Sequence, residues 1–130
     1  MAGRPTPTLS TMPADDRPAL TDPEDAKLVT LARTTRARTR AAEGACVRDQ
    51  DGRTYAAATV ALPTLSLSAV QVAVAMAVCS GARGLEAVLV LSDEATVREG
   101  DLSVVRDLAG ADVPVHLAAP DGTVVASLRS

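Results

Sequence analysis

Leu67-Ser68-Ala69-Val70-Gln71-Val72-Ala73-Val74-Ala75-Met76-Ala77-Val78-Cys79-Ser80-Gly81, residues 67–81, is the stretch that decides the fold. Ser66 or Ser68 can cap a helix there, and Gly81 supplies the residue that ends one. Between them the segment 69–79 is apolar almost all round, so the helix it predicts is covered on more than one side. A sheet, other helices or a partner subunit would do this.

Outward from that helix, the flanks read as strands and shorter helices. Upstream, Ala45–Arg48 and Thr54–Val60 are β-type runs around Asp49-Gln50-Asp51-Gly52, and the Asp-Gly pair is a hairpin signal. Pro63 then opens a loop. Downstream, Ala87–Leu91 is an unbroken apolar run expected of an internal strand. Asp101 is a candidate cap for a short helix that turns Leu102, Val105 and Leu108 inward and stops at Gly110. Val113–Ala119 and Thr123–Leu128 flank Pro120-Asp121-Gly122, a turn by its chemistry. The chain opens with residues 1–20, a proline-studded stretch expected to be a disordered leader. A helix follows from Thr21-Asp22-Pro23-Glu24 to about Arg40, with Leu28, Leu31, Ala32 and Thr35 as its apolar stripe. The order is α-ββ-α-β-α-β-β, a single α/β domain over residues 21–130.

Composition narrows the function. The 130 residues are 47% hydrophobic and 22% charged with a net charge of −3, so no global attraction to nucleic acid or anionic lipid follows. Tyr55 is the sole aromatic residue. A core of Val, Leu and Ala lacks large aromatic payloads, and a surface without them has nothing on which to stack bases. Cys46 and Cys79 share no metal-type spacing and read as buried free thiols. No export or membrane-spanning segment stands out, so the expected location is the cytoplasm.

The element order, with Asp51-Gly52-Arg53-Thr54-Tyr55, Leu67–Ala77, Val88–Asp93, Pro114-Val115 and Pro120-Asp121-Gly122-Thr123 in sequence, resembles the cytidine deaminase family of zinc-dependent nucleoside deaminases. The resemblance implies a three-layer α/β/α fold with a mixed five-stranded sheet and assembly into dimers or tetramers. It also implies a zinc held by a His or Cys at the start of the central helix and by a P-C-x-x-C motif on the next, with a Glu as proton shuttle. Against that pattern Ser68 stands for the first ligand and Val70 for the glutamate. The second motif falls on Asp101–Val105, so Leu102 and Val105 replace its cysteines. Thr59 and Ala61 fall where the family carries its ribose-binding Asn and Glu. A shifted alignment does not help, because residues 52–78 hold no His, Cys, Asp or Glu and residues 80–130 no Cys. The expectation is a cytidine deaminase-like protein without zinc or any cofactor and without catalytic activity, a binding or scaffold homologue forming a homo-oligomer. The small-molecule ligand stays unknown, and membrane association is not expected. An active nucleoside deaminase with a site built elsewhere, around His116 or the 93–101 loop, is the alternative.

Other constellations have simpler readings. His116 with Cys46 and Cys79 would make a metal site only if the fold joined them, and a structural histidine is favoured. Ser68, Ser80 and Ser92 lie at element ends where capping explains them, and no G-x-S-x-G is present. Gly81-Ala82-Arg83-Gly84 follows a helix instead of opening one, so it reads as a helix-to-strand connection and not a phosphate loop. Arg33, Arg36 and Arg40, with Arg38 nearby, form a basic face. RNA contact there is a minority alternative to a solvated helix C-terminus. Asp93-Glu94 and Glu99-Gly100-Asp101 read as solvated loop charge.

Overall fold

The computed structural model describes residues 20 and 22–130, so the leader expected over 1–20 and the Thr21 cap lie outside the described residues except for Leu20. The elements run α1 (Pro23–Thr39), β1 (Gly44–Asp49), β2 (Thr54–Ala58), β3 (Val60–Ala61), β4 (Ser66–Leu67), α2 (Ala69–Cys79), β5 (Leu85–Leu91), α3 (Glu99–Ala109), β6 (Pro114–Ala118) and β7 (Val124–Arg129). Five strands form one sheet in the order β2-β1-β5-β6-β7. β1 lies antiparallel to both β2 and β5, β6 runs parallel to β5, and β7 returns antiparallel along β6. The parallel pair needs a crossover, which α3 supplies. The small β3–β4 hairpin is an addition that the apolar patterning does not foretell.

Each central strand sends alternate residues to opposite faces. Ala45 and Val47 of β1, and Val88 and Val90 of β5, join the larger core with α2 and α3. Cys46, Ala87, Leu89 and Leu91 point the other way and pack with Leu28 and Ala32 of α1 in a smaller core. The architecture is therefore the expected three-layer α/β/α fold with a mixed five-stranded sheet. α2 buries Ala69, Val70, Ala73, Val74 and Ala77 but leaves Met76 at 39% and Val78 at 52% exposure. Its burial thus comes from the sheet and α3, and one apolar edge stays open.

Local chemistry explains the remaining details. α1 is capped by Asp22, whose carboxylate accepts the Glu24 N–H at 2.8 Å. Of its expected stripe only Leu28 and Ala32 are buried; Leu31 is exposed because the sheet meets a narrower face of the helix. Asp49 locks the first hairpin. Its Oδ1 accepts the N–H groups of Asp51 and Arg53 at 2.9 and 3.0 Å, and its Oδ2 accepts the Tyr55 hydroxyl at 2.8 Å. Gly52 takes the left-handed conformation at φ 82° that this turn requires.

Gly81-Ala82-Arg83-Gly84 does link α2 to β5. The N–H groups of Arg83 and Gly84 donate to the Gln50 side-chain oxygen at 3.2 and 3.1 Å. Both cysteines are free, but only Cys46 is buried; Cys79 ends α2 on its solvent side. No helix of the described residues is long and apolar enough to cross a membrane.

Candidate functional site

Two helix N-termini converge beside the sheet, and the residues between them form a cleft of about 570 Å³. Ser68 is the N-cap of α2. Its hydroxyl oxygen accepts the Gln71 N–H at 3.1 Å while the Gln71 side chain accepts the Ser68 N–H at 2.8 Å, a complete capping box. The Ser68 hydroxyl proton is then free to be donated elsewhere, and it goes to Asp101 Oδ1 at 2.6 Å.

Asp101 lies in the first turn of α3, and it is not the cap of that helix. α3 starts two residues earlier at Glu99, after an Arg98 cap position whose side chain makes no capping bond. The solvated-loop reading of Asp101 is likewise overturned, since it is 5% exposed. A buried carboxylate is tolerated there for two reasons. The positive ends of two helices meet at it, and Ser68 hydrogen-bonds it directly. Asp93 and Glu94, by contrast, are exposed at the rim, as loop charge should be.

Across the cleft, Arg98 reaches Glu43 at 2.7 Å and Asp101 at 3.6 Å. The hydrogen bond to Glu43 holds the guanidinium pKa above its ordinary value even though partial burial opposes the charge. Glu43 is itself 7% exposed and is tied to the loop after β2. Its N–H donates to Thr59 Oγ1 at 3.0 Å, and its carbonyl accepts the Thr59 N–H at 3.2 Å. Ser92 closes the floor; its hydroxyl oxygen accepts the Glu94 N–H at 3.0 Å. The lining carries the carboxylates of Glu43, Asp93, Glu94 and Asp101 against the single guanidinium of Arg98, so its polar surface is net acidic.

The residues singled out from the sequence divide sharply. Ser68 and Thr59 line the cleft, whereas Ala61 is exposed on β3. Val70, Leu102 and Val105 belong to the larger hydrophobic core at 0%, 8% and 1% exposure. Facing Ser68, where the second motif would fall, stands Asp101, one residue before the position matched to its first cysteine. Sequence reasoning misses Glu43, Arg98 and Asp101 as a group. No local motif joins positions 43, 98 and 101, and only the sheet brings β1 beside the loop that precedes α3.

His116 lies on the opposite face of the sheet from the cleft. Its Nδ1 meets Ser127 Oγ at 2.9 Å and its Nε2 meets Asp25 Oδ2 at 3.3 Å. Asp25 also ion-pairs with Arg48 at 2.8 Å, and Arg48 contacts Glu86 at 3.3 Å. Burial works against the Arg48 charge, but its two carboxylate partners outweigh that and hold its pKa high. This network ties α1 to β1, β5, β6 and β7. It does not bring His116 together with Cys46 and Cys79, and no group of three or more potential ligands that could hold a metal occurs among the described residues.

The basic face of α1 is also partly used. Arg36 Nε donates to the Ala42 carbonyl at 3.2 Å, and Arg40 is the left-handed C-cap.

A three-layer fold with its cleft at two converging helix N-termini defines the class of protein, and comparison with known proteins gives the family. Residues 21–122 match the family profile described as cytidine deaminase-like, and the chain belongs to that family. Its fold is similar to that of cytidine deaminase from Burkholderia pseudomallei, at a TM-score of 0.69 and 19% identity, covering 78% of this chain and 89% of that one. The cytidine deaminase from Mycobacterium leprae aligns at 0.63 and 18% identity over 83% and 94% of the two chains. The enzyme from Mycobacterium tuberculosis aligns at 0.62 and 20% identity over 79% and 89%. No curated protein sequence matches the chain significantly.

Proposed function

We propose that this member of the cytidine deaminase-like family does not carry out zinc-dependent deamination and uses its cleft to bind a small polar molecule, as a binding or scaffold homologue. The observation that carries this reading is the Ser68–Asp101 hydrogen bond at 2.6 Å. The family's chemistry calls for soft thiolate or imidazole donors and a free glutamate beside them. Here a hydroxyl spends its proton on a carboxylate, and Val70, Leu102 and Val105 are packed into the core. The donor set does not fit a zinc centre of the deaminase kind. The cleft keeps what a binding site needs, namely a concave shape and a few convergent polar groups on helix ends.

Elemental analysis for zinc on tag-free protein, with cytidine and deoxycytidine turnover followed on the same sample, tests the reading. No zinc and no turnover is the expected result. Stoichiometric zinc with turnover would overturn it and would favour the alternative, an active deaminase with a non-standard site.

The protein is also proposed to be a cytoplasmic homo-oligomer. The support is the apolar edge of α2, where Met76 and Val78 are open to solvent in a chain poor in aromatic core residues. Sedimentation showing only monomer at micromolar concentration would count against association.

A further inference from the structure

We infer that α1 is a positioning element for the cleft, latched at its first turn by Asp25 and transmitting its seating through Arg36 and Gly44 to Glu43. This rests on the reading of the cleft as a binding site, and it adds what holds one wall of that site in place.

Three observations carry it. First, α1 packs on the sheet over a small core of its own. Leu28 and Ala32 are its buried residues, and the core beneath them is separate from the one that α2 and α3 share with the sheet. At its first turn the hold is polar, because Asp25 meets both Arg48 and His116.

Second, the middle and C-terminal half of α1 approach β1 closely at Gly44. A Cβ on Gly44 would lie 2.5 Å from the Ala32 carbonyl oxygen and 3.1 Å from Arg36 Cβ. Glycine at this position is therefore what lets the helix sit against the strand.

Third, the connection from α1 to β1 is part of the cleft wall. Ala42 and Glu43 line it, Arg36 holds the Ala42 carbonyl, and Glu43 holds both Arg98 and Thr59. Any shift of α1 away from the sheet pulls on the residue that fixes Arg98.

Ligand-free amide exchange and thiol modification test this on the full chain, independently of whether the cleft has a ligand. Cys46 lies under α1, so its modification by a soluble disulfide reagent reports unseating. The Thr59 amide, donated to the Glu43 carbonyl, reports the cleft wall. Asp25→Asn is expected to speed both Cys46 modification and Thr59 exchange by on the order of tenfold, while core amides of β5 and α2 stay unchanged. Arg36→Met is expected to speed Thr59 exchange alone, with Arg36→Lys restoring it because an ammonium still reaches the carbonyl.

Faster Cys46 modification without faster Thr59 exchange in Asp25→Asn would show that α1 moves without touching the cleft, and would overturn the inference. Unchanged rates in both variants would overturn it as well. Uniform acceleration of every amide in both variants would show that α1 opens only with the whole domain, and that too would overturn it.

Discussion

The Ser68 hydroxyl donates to Asp101 Oδ1 across 2.6 Å, joining the cap of one helix to the first turn of another 33 residues later in the chain. This bond ties the two helix ends together at the wall of the cleft. Ser68→Ala leaves a buried carboxylate short of its closest donor and removes the α2 cap. A loss of about 2–3 kcal/mol in denaturant unfolding is expected, larger than the ~1 kcal/mol of a lone cap. A loss no greater than that of a cap alone would mean that Asp101 finds equivalent solvation without Ser68.

Asp49 should contribute to acid stability. Burial raises its pKa, but the Tyr55 hydroxyl and the N–H groups of Arg53 and Asp51 outweigh burial and hold it below the ordinary carboxylate value. A carboxyl depressed in the folded state contributes stability that is full above the unfolded pKa of about 3.9 and is lost as pH falls through the folded value. Urea midpoints taken from about pH 6 down to about pH 2 should therefore fall more steeply in the native chain than in Asp49→Asn.

Removing one donor from the same carboxylate has a pH-independent counterpart at neutrality. Tyr55→Phe keeps the ring in the core and deletes the 2.8 Å bond to a charged acceptor. It should cost about 1.5–3 kcal/mol at pH 7. Parallel urea melts of the two proteins check this. Equal midpoints would show that water replaces the hydroxyl.

The two thiols should differ widely in reactivity. Burial pushes the Cys46 pKa up to about 12, and its side chain is fully buried, whereas Cys79 is exposed at the end of α2. At neutral pH one equivalent of thiol should react with a disulfide reagent promptly, with the second following only on opening. Two prompt equivalents would contradict the packing of α1 over Cys46.

Gly44→Ala tests the close approach of α1 to β1. With the Ala32 carbonyl oxygen 2.5 Å from the added methyl, helix or strand must move. Overpacking of this kind costs typically about 1–3 kcal/mol, read by thermal or denaturant unfolding. A neutral substitution would show that α1 shifts freely on the sheet.

Much of this was legible in the sequence because it depends on near neighbours. Ser66 or Ser68 ahead of an apolar run writes the start of α2, Asp51-Gly52 writes the hairpin, and the apolar run 87–91 writes a strand buried on both faces. Ser68, Val70, Leu102 and Val105 were singled out by the family resemblance and not by any local pattern. Tertiary structure alone decided where carboxylates and thiols ended up. Asp101 reads as a cap or a solvated charge until Ser68 and two helix ends surround it. Cys79 reads as buried until α2 turns that edge to solvent. Glu43, Arg98 and Asp101 become one cluster only when the sheet sets β1 beside the entry to α3. Burial and partnership of a charged group are properties of the surrounding space, and separations of 33 or 55 residues along the chain carry no local pattern from which to read them.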